Sequence, residues 1–241
     1  SKIPAKKRLA DFPHYLEHRA AGLDNLYIFT GTQATPENIR KFHPNLIVNA
    51  TGSGPLLPPI NGLMDNIDKE GGNVYSILGM ISHINDFPQD LEGKKVAVIG
   101  GGAVGLDVVE FFAARKADIS IVEMMDQIGR DLDPVTKNDT RCMMKKHGVH
   151  QLTKTALLEV KADSFLVKGS EGEYELPFDY GFVCLGMRAK GQLYPQLLDA
   201  FADDDVEVIN IGDSQRARRI IDGTMEGRNI LYHLTQRGYL D

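Results

Sequence analysis

Cysteine is scarce in this sequence of 241 residues: Cys142 lies in a helical stretch, Cys184 at a strand end, and neither belongs to a CxxC. A redox dithiol and a cysteine-ligated cluster are thereby excluded from this chain, and both cysteines read as packing residues. Long apolar runs are also missing. No stretch approaches the ~20 residues of a membrane span and no signal-peptide pattern opens the chain, so a cytoplasmic protein with no membrane partner is expected. Positive charge is not in excess: the net charge of −6 argues against a nucleic-acid partner, and Lys6-Lys7-Arg8 reads as a solvated helix entry. Among the seven histidines only His14 and His18 stand at HxxxH spacing, and no metal site is expected. His147, just before Gly148, reads as a cation at a helix C-terminus. What is present is a 42% apolar chain, enough to bury a core in two modest lobes.

The most informative stretch begins with an apolar strand from Lys95 to Ile99 and runs into Gly100-Gly101-Gly102-Ala103-Val104-Gly105, a GxGxxG. A helix is expected over Ala103 to Lys116, then a second strand from Asp118 to Val122 that ends in Glu123. This is a complete dinucleotide-binding βαβ pattern, with the acid at the expected ~20 residues from the first glycine. Gly100 makes the tight turn, Gly102 lets the backbone approach a pyrophosphate, and Gly105 lets helix and strand pack closely. The helix N-terminus offers free N–H groups to the phosphates. A carboxylate at Glu123 accepts from ribose hydroxyls and repels a 2′-phosphate. Met124 and Met125 follow it and the first arginine is Arg130, so NAD(H) is expected in preference to NADP(H).

Ahead of this unit, Arg8 to Ala20 has apolar residues at near-helical spacing, Asn25 to Thr30 is a strand-like run, and Thr35 is placed to cap a helix starting at Pro36. Leu46 to Asn49 is an apolar strand leading into Ala50-Thr51-Gly52-Ser53, and the segment Gly54 to Gly62, with Pro55, Pro58 and Pro59, marks a crossover. Behind it come a helix over Pro134 to Lys146 and short strands at His150 to Thr153, Ala156 to Ala162, Ser164 to Lys168 and Tyr174 to Leu176, read as an antiparallel meander. A buried strand from Tyr180 to Leu185 closes in Gly186, and the chain ends with Val206 to Asn210, Gly212-Asp213 and a long helix from Arg216 to Gln236. Thr51-Gly52 can also be an ordinary strand-to-turn exit and Asp213 an N-cap for the last helix; Glu110 reads as a structural or surface residue, and Asp203-Asp204-Asp205 as a solvated turn.

Three separated pieces resemble one class. Ala50-Thr51-Gly52-Ser53 with the following prolines resembles the ATG crossover motif of two-dinucleotide flavoproteins. Val183-Cys184-Leu185-Gly186 resembles its partner at the end of the NAD lobe, and Gly212-Asp213 with Asp222-Gly223-Thr224 resembles the closing FAD motif. The opening Ile3-Pro4-Ala5-Lys6 is similar to the C-terminal half of old-yellow-enzyme-like reductases, the family of 2,4-dienoyl-CoA reductase, 2-enoate reductase and trimethylamine dehydrogenase. The fold class implied is α/β and Rossmann-like: a two-dinucleotide-binding-domain flavoprotein with a complete NAD lobe and an incomplete FAD lobe.

The resemblance further implies FAD held at Ala50, Thr51, Gly52, Gly212 and Asp213, with Gly186 beside the NAD residues. It places FMN, an iron–sulfur cluster and substrate on an N-terminal barrel outside this chain. The family's first GxGxxG is not in this sequence, so the chain is expected to be a piece whose partners are that barrel and the missing FAD segment. It is expected to be inactive and flavin-free alone, and its open sheet edge admits a homo-oligomer. The expected division is 1–62 for the first FAD segment, 63–190 for the NAD domain and 191–241 for the returning FAD segment. Hydride transfer from NADH to flavin needs orientation rather than a protein acid or base, so no catalytic residue is assigned. Two other functions stay open: a structural domain that holds a nucleotide without turnover, and a stand-alone FAD-dependent NADH reductase.

Overall fold

The computed structural model describes residues 3–238. Its strands, in chain order, are β1 (Leu46–Asn49), β2 (Ser53–Pro55), β3 (Val74–Ser76), β4 (Lys95–Ile99), β5 (Asp118–Val122), β6 (His150–Leu152), β7 (Ala156–Val160), β8 (Ser164–Gly169), β9 (Gly172–Pro177), β10 (Tyr180–Val183), β11 (Met187–Ala189) and β12 (Glu207–Asn210). The chain divides into two units: the described part of 1–24 with Pro55–Gly186, and Asn25–Gly54 with the described part of 187–241. These boundaries differ from the expected 1–62, 63–190 and 191–241. Residues 3–24 go with the first unit because Ile3 is buried there and Lys6 pairs with Asp107.

The first unit is built on a parallel sheet of order β3-β10-β4-β5-β6. Val96 to Ile99 and Ile121 to Val122 are almost wholly buried, as required of parallel strands covered on both faces. The helix Ala103–Ala113 lies against the sheet and buries Leu106, Val108, Val109, Phe111 and Phe112. It ends earlier than the expected Lys116, which adopts a positive φ of 63°. An antiparallel meander β7-β8-β9 shares its core with the sheet through Phe165, Val167, Ile99 and Val183. His150–Leu152, expected in the meander, instead pairs with β5 as the sheet's edge strand. The expected continuous helix over Arg8 to Ala20 is a 3-10 segment, Pro4–Ala10, followed by the α-helix Asp11–Ala21. Leu9, Phe12 and Leu16 are exposed, so their spacing marks a helix without a buried face.

In the second unit β1 and β12 pair in parallel, β2 pairs with β11, and the helices are Pro36–Arg40, Leu193–Ala200 and Ile220–Gln236. Thr35 Oγ1 accepts from the Asn38 N–H at 3.3 Å, capping the first of these as expected. Ile47, Leu197 and Phe201 form the small core, with the Arg40 guanidinium 4.5 Å from the Phe201 ring centroid. The strand-like run Asn25 to Thr30 forms no strand. Its Tyr27, Ile28 and Phe29 are exposed, because a strand needs a hydrogen-bonded neighbour and among the described residues β1 pairs with β12 alone.

Candidate functional site

The glycine turn after β4 is tight on two sides and open on one. Gly100 has φ +105°, and a Cβ there would lie 2.2 Å from the Cys184 carbonyl oxygen. At Gly105 a Cβ would lie 1.9 Å from the Gly100 carbonyl oxygen, so the helix approaches the turn as closely as backbones allow. A Cβ on Gly102 meets nothing within 4 Å. Gly102 is the N-cap of the helix and supplies no capping side chain, which leaves the first-turn N–H groups, including those of Ala103 and Val104, without a side-chain acceptor. The open approach and the free donors coincide.

Register brings the acid to this turn. Ile99 pairs with Val122, so Gly100 and Glu123 leave neighbouring strands side by side. The Gly101 N–H donates to Glu123 Oε2 at 2.7 Å, and the Met125 N–H donates to Glu123 Oε1 at 2.8 Å. Gly186, with φ +106° and nothing within 4 Å of a built Cβ, stands beyond the end of β10. Together these residues line a cleft of about 820 Å³ over the carboxyl ends of β4, β5 and β10. The chain passes from β4 to β5 on one side while β10 lies on the other, which is where doubly wound sheets bind ligands. Burial pushes the Cys184 thiol at the cleft floor up to about 12, so it offers no thiolate.

The first arginine after Glu123 in the sequence, Arg130, is brought to this cleft. The Gly129 N–H donates to the Gly101 carbonyl at 2.7 Å, and Arg130 lines the same cleft as Glu123.

In the second unit the two other glycine turns meet at the ends of β1 and β12. Asn49 and Asn210 face each other in register, and Asn49 Nδ2 donates to Asn210 Oδ1 at 2.8 Å. Ser214 Oγ lies 2.6 Å from the Ile211 carbonyl, 2.8 Å from Asn210 Oδ1 and 3.0 Å from the Asn49 carbonyl. Thr51 Oγ1 donates to Asn49 Oδ1 at 3.1 Å, and Ser53 Oγ donates to Asp213 Oδ2 at 3.0 Å. The Ala50-Thr51-Gly52 turn is thus joined, through Thr51 and Ser53, to the Gly212-Asp213 turn by a polar network in which Asn49 and Ser214 are buried. Asparagine at the end of an apolar strand was its only sequence signal.

Asp213 is not the N-cap of the last helix, which starts at Ile220 with the Arg219 N–H donating to Asp222 Oδ2 at 3.0 Å. Its Oδ1 instead accepts from the Arg218 N–H at 3.0 Å. The Gly212 N–H donates to Glu226 Oε2 at 2.6 Å; this bond, and then Arg218, hold the Glu226 carboxyl below its ordinary range.

Sheet order, glycine turn and terminal acid define a nucleotide-binding α/β oxidoreductase fold. The chain belongs to the family described as pyridine nucleotide-disulphide oxidoreductase, which matches residues 11–212. It is 27% identical over 237 residues to an NADH oxidase of Thermoanaerobacter brockii, covering 97% of this chain and 34% of that protein. It is 30% identical over 200 residues to a bilirubin reductase of Mediterraneibacter gnavus, covering 82% of this chain and 28% of that protein. The chain therefore spans about a third of the length of these relatives. In fold it is similar to 2-naphthoyl-CoA reductase, with a TM-score of 0.77 at 22% identity over 94% of this chain and 32% of that one. It is also similar to histamine dehydrogenase from Rhizobium sp. 4-9, with a TM-score of 0.75 at 16% identity over 95% of this chain and 36% of that one. Cys142 is exposed and Cys184 buried in different elements, so the disulphide in the family's description has no dithiol counterpart here. Among the described residues no helix is long and apolar enough to cross a membrane.

Proposed function

We propose that the chain is the NADH-binding, electron-input module of a larger flavin oxidoreductase. The observation that carries this is the single cleft that gathers the open side of Gly102, the unpaired N–H groups of the helix behind it and the Glu123 carboxylate. Gly102, Ala103 and Val104 would hold the pyrophosphate through backbone N–H groups, Glu123 the adenosine ribose, and Gly186 the far wall of the cleft. In the second unit Ala50, Thr51, Gly52, Gly212 and Asp213 fit the ribityl side of FAD: Gly52 has φ +78° and open space around a built Cβ, and the Asn49–Asn210 network joins the two turns. Bound together, NADH would supply a hydride and FAD would accept it. The protein's part is to orient the pair and exclude water, which requires no acid or base from the chain.

Because the chain spans a third of its relatives, the remaining machinery is proposed to lie outside it: an N-terminal barrel with FMN, an iron–sulfur cluster and the glycine-rich FAD segment. Exposed Tyr27, Ile28 and Phe29, and the two-stranded β1-β12 sheet, support a missing neighbour in the second unit.

A second reading, a nucleotide-holding domain without turnover, is favoured by one feature. Both Asp213 carboxylate oxygens and the Gly212 N–H are already engaged within the unit. The deciding experiment purifies these residues alone and again with the FAD-bearing remainder of the parent protein. A colourless chain that binds NADH and consumes it only with the remainder supports the electron-input module. NADH bound but never consumed indicates the structural domain, and a yellow chain with flavin near one per molecule indicates a stand-alone reductase.

A further inference from the structure

We infer that Arg130 is a second specificity determinant of the dinucleotide cleft, placed to meet a phosphate on the adenosine ribose, so that discrimination against NADPH is small. This role rests on the dinucleotide site proposed above and refines it.

The backbone around Arg130 is held on both sides. The Gly129 N–H donates to the Gly101 carbonyl at 2.7 Å, and Lys137 Nζ donates to the Arg130 carbonyl at 3.0 Å. Gly101 is also the residue whose N–H reaches Glu123, so one residue links the acid to the turn that carries the arginine. Arg130 and Glu123 therefore line the same cleft.

Their charges do not cancel each other. Glu123 directs one oxygen to Gly101 and the other to Met125, and among the described residues Arg130 forms no ion pair with Glu123 or with Asp131, which also lines the cleft. A planar guanidinium with five donors, fixed at its backbone and unpaired at its tip among the described residues, suits two oxygens of a phosphate and has no acceptor to offer a hydroxyl. Glu123 reads ribose hydroxyls and disfavours the 2′-phosphate; Arg130 offsets that repulsion, against Asp131.

The test is calorimetric titration of the 241-residue chain and its Arg130→Ala and Arg130→Lys variants with NADH and NADPH. Arg130 is exposed, and thermal melts of each variant confirm that it folds. Wild type is expected to bind NADPH within about tenfold of NADH, and Arg130→Ala to widen that gap by about tenfold through loss of NADPH alone. Arg130→Lys, which keeps the charge and loses the fork, is expected to fall between. NADH binding with a ratio that Arg130→Ala leaves unmoved overturns the role of Arg130, whether both nucleotides weaken equally or neither does. A wild-type chain that binds neither nucleotide overturns the cleft assignment as well.

Discussion

The Gly101 N–H donates to the Glu123 carboxylate at 2.7 Å, so the acid that ends one strand clamps the glycine turn that ends its neighbour. With the second oxygen accepting from Met125, the carboxylate is oriented before any ligand arrives. Preorganisation of this kind makes its loss costly. Glu123→Ala is expected to weaken NADH by ~1.5–3 kcal/mol, the usual cost of losing a charged hydrogen-bond partner, and to narrow the gap to NADPH. Titration of both nucleotides checks this; a variant unchanged toward NADH would make Glu123 only a turn clamp.

Gly102 and Gly105 are three residues apart and should fail in opposite ways. A Cβ at Gly105 would sit 1.9 Å from a backbone oxygen, so Gly105→Ala is expected to cost ~1–3 kcal/mol of stability as an overpacked contact. A Cβ at Gly102 meets nothing within 4 Å, so Gly102→Ala should stay within about 1 kcal/mol of wild type while weakening nucleotide binding at least about tenfold. Thermal denaturation paired with titration separates the two. Equal melting behaviour, or a Gly102→Ala chain that binds normally, would count against the ligand's approach from the open side.

How much of this was legible in the sequence depends on the reach of each feature. The β4-turn-helix-β5 unit could be read because its strands, glycines and terminal acid are consecutive in the chain, although the contact that Gly100 answers comes from Cys184, beyond β10. The cap at Thr35 was local in the same way. The run from Asn25 to Thr30 misled because strand-forming residues specify a strand only where a partner edge exists. The place of Arg130 in the cleft and the Asn49–Asn210 pair were hidden for another reason: a loop returning to Gly101, or two residues 161 apart brought into register, leaves no periodic trace.

The Asn49–Asn210–Ser214 network should behave as one element. Asn210→Leu removes the acceptor of Asn49 Nδ2 and the donor to the Ser214 carbonyl and is expected to cost ~1–3 kcal/mol. A double-mutant cycle of Asn49→Ala with Asn210→Ala, measured by denaturant unfolding, is expected to show coupling of at least ~0.5 kcal/mol. Strictly additive losses would show that the two asparagines act separately.

The two cysteines should differ in reactivity. A thiol reagent is expected to modify the exposed Cys142 in the native chain and to reach the buried Cys184 only on unfolding. Burial holds the Cys184 thiol near 12 against an ordinary 9.0, so the unfolded chain releases this proton first. The stability contributed by the neutral thiol is therefore fully present below pH ~9 and declines as pH rises toward 12. Comparing the alkaline stability profiles of wild type and Cys184→Ala tests the sign; identical slopes would remove Cys184 as the cause.

The Leu56 N–H donates to the Gly186 carbonyl at 2.9 Å, so the stretch from Pro55 to Gly186 begins and ends at nearly the same point. A stretch whose ends already touch can be exchanged for another of different nucleotide preference without a gap to bridge, provided that the described part of 1–24, which packs with it, is carried along. For a protein engineer, the seam between Leu56 and Gly186 is the place to cut.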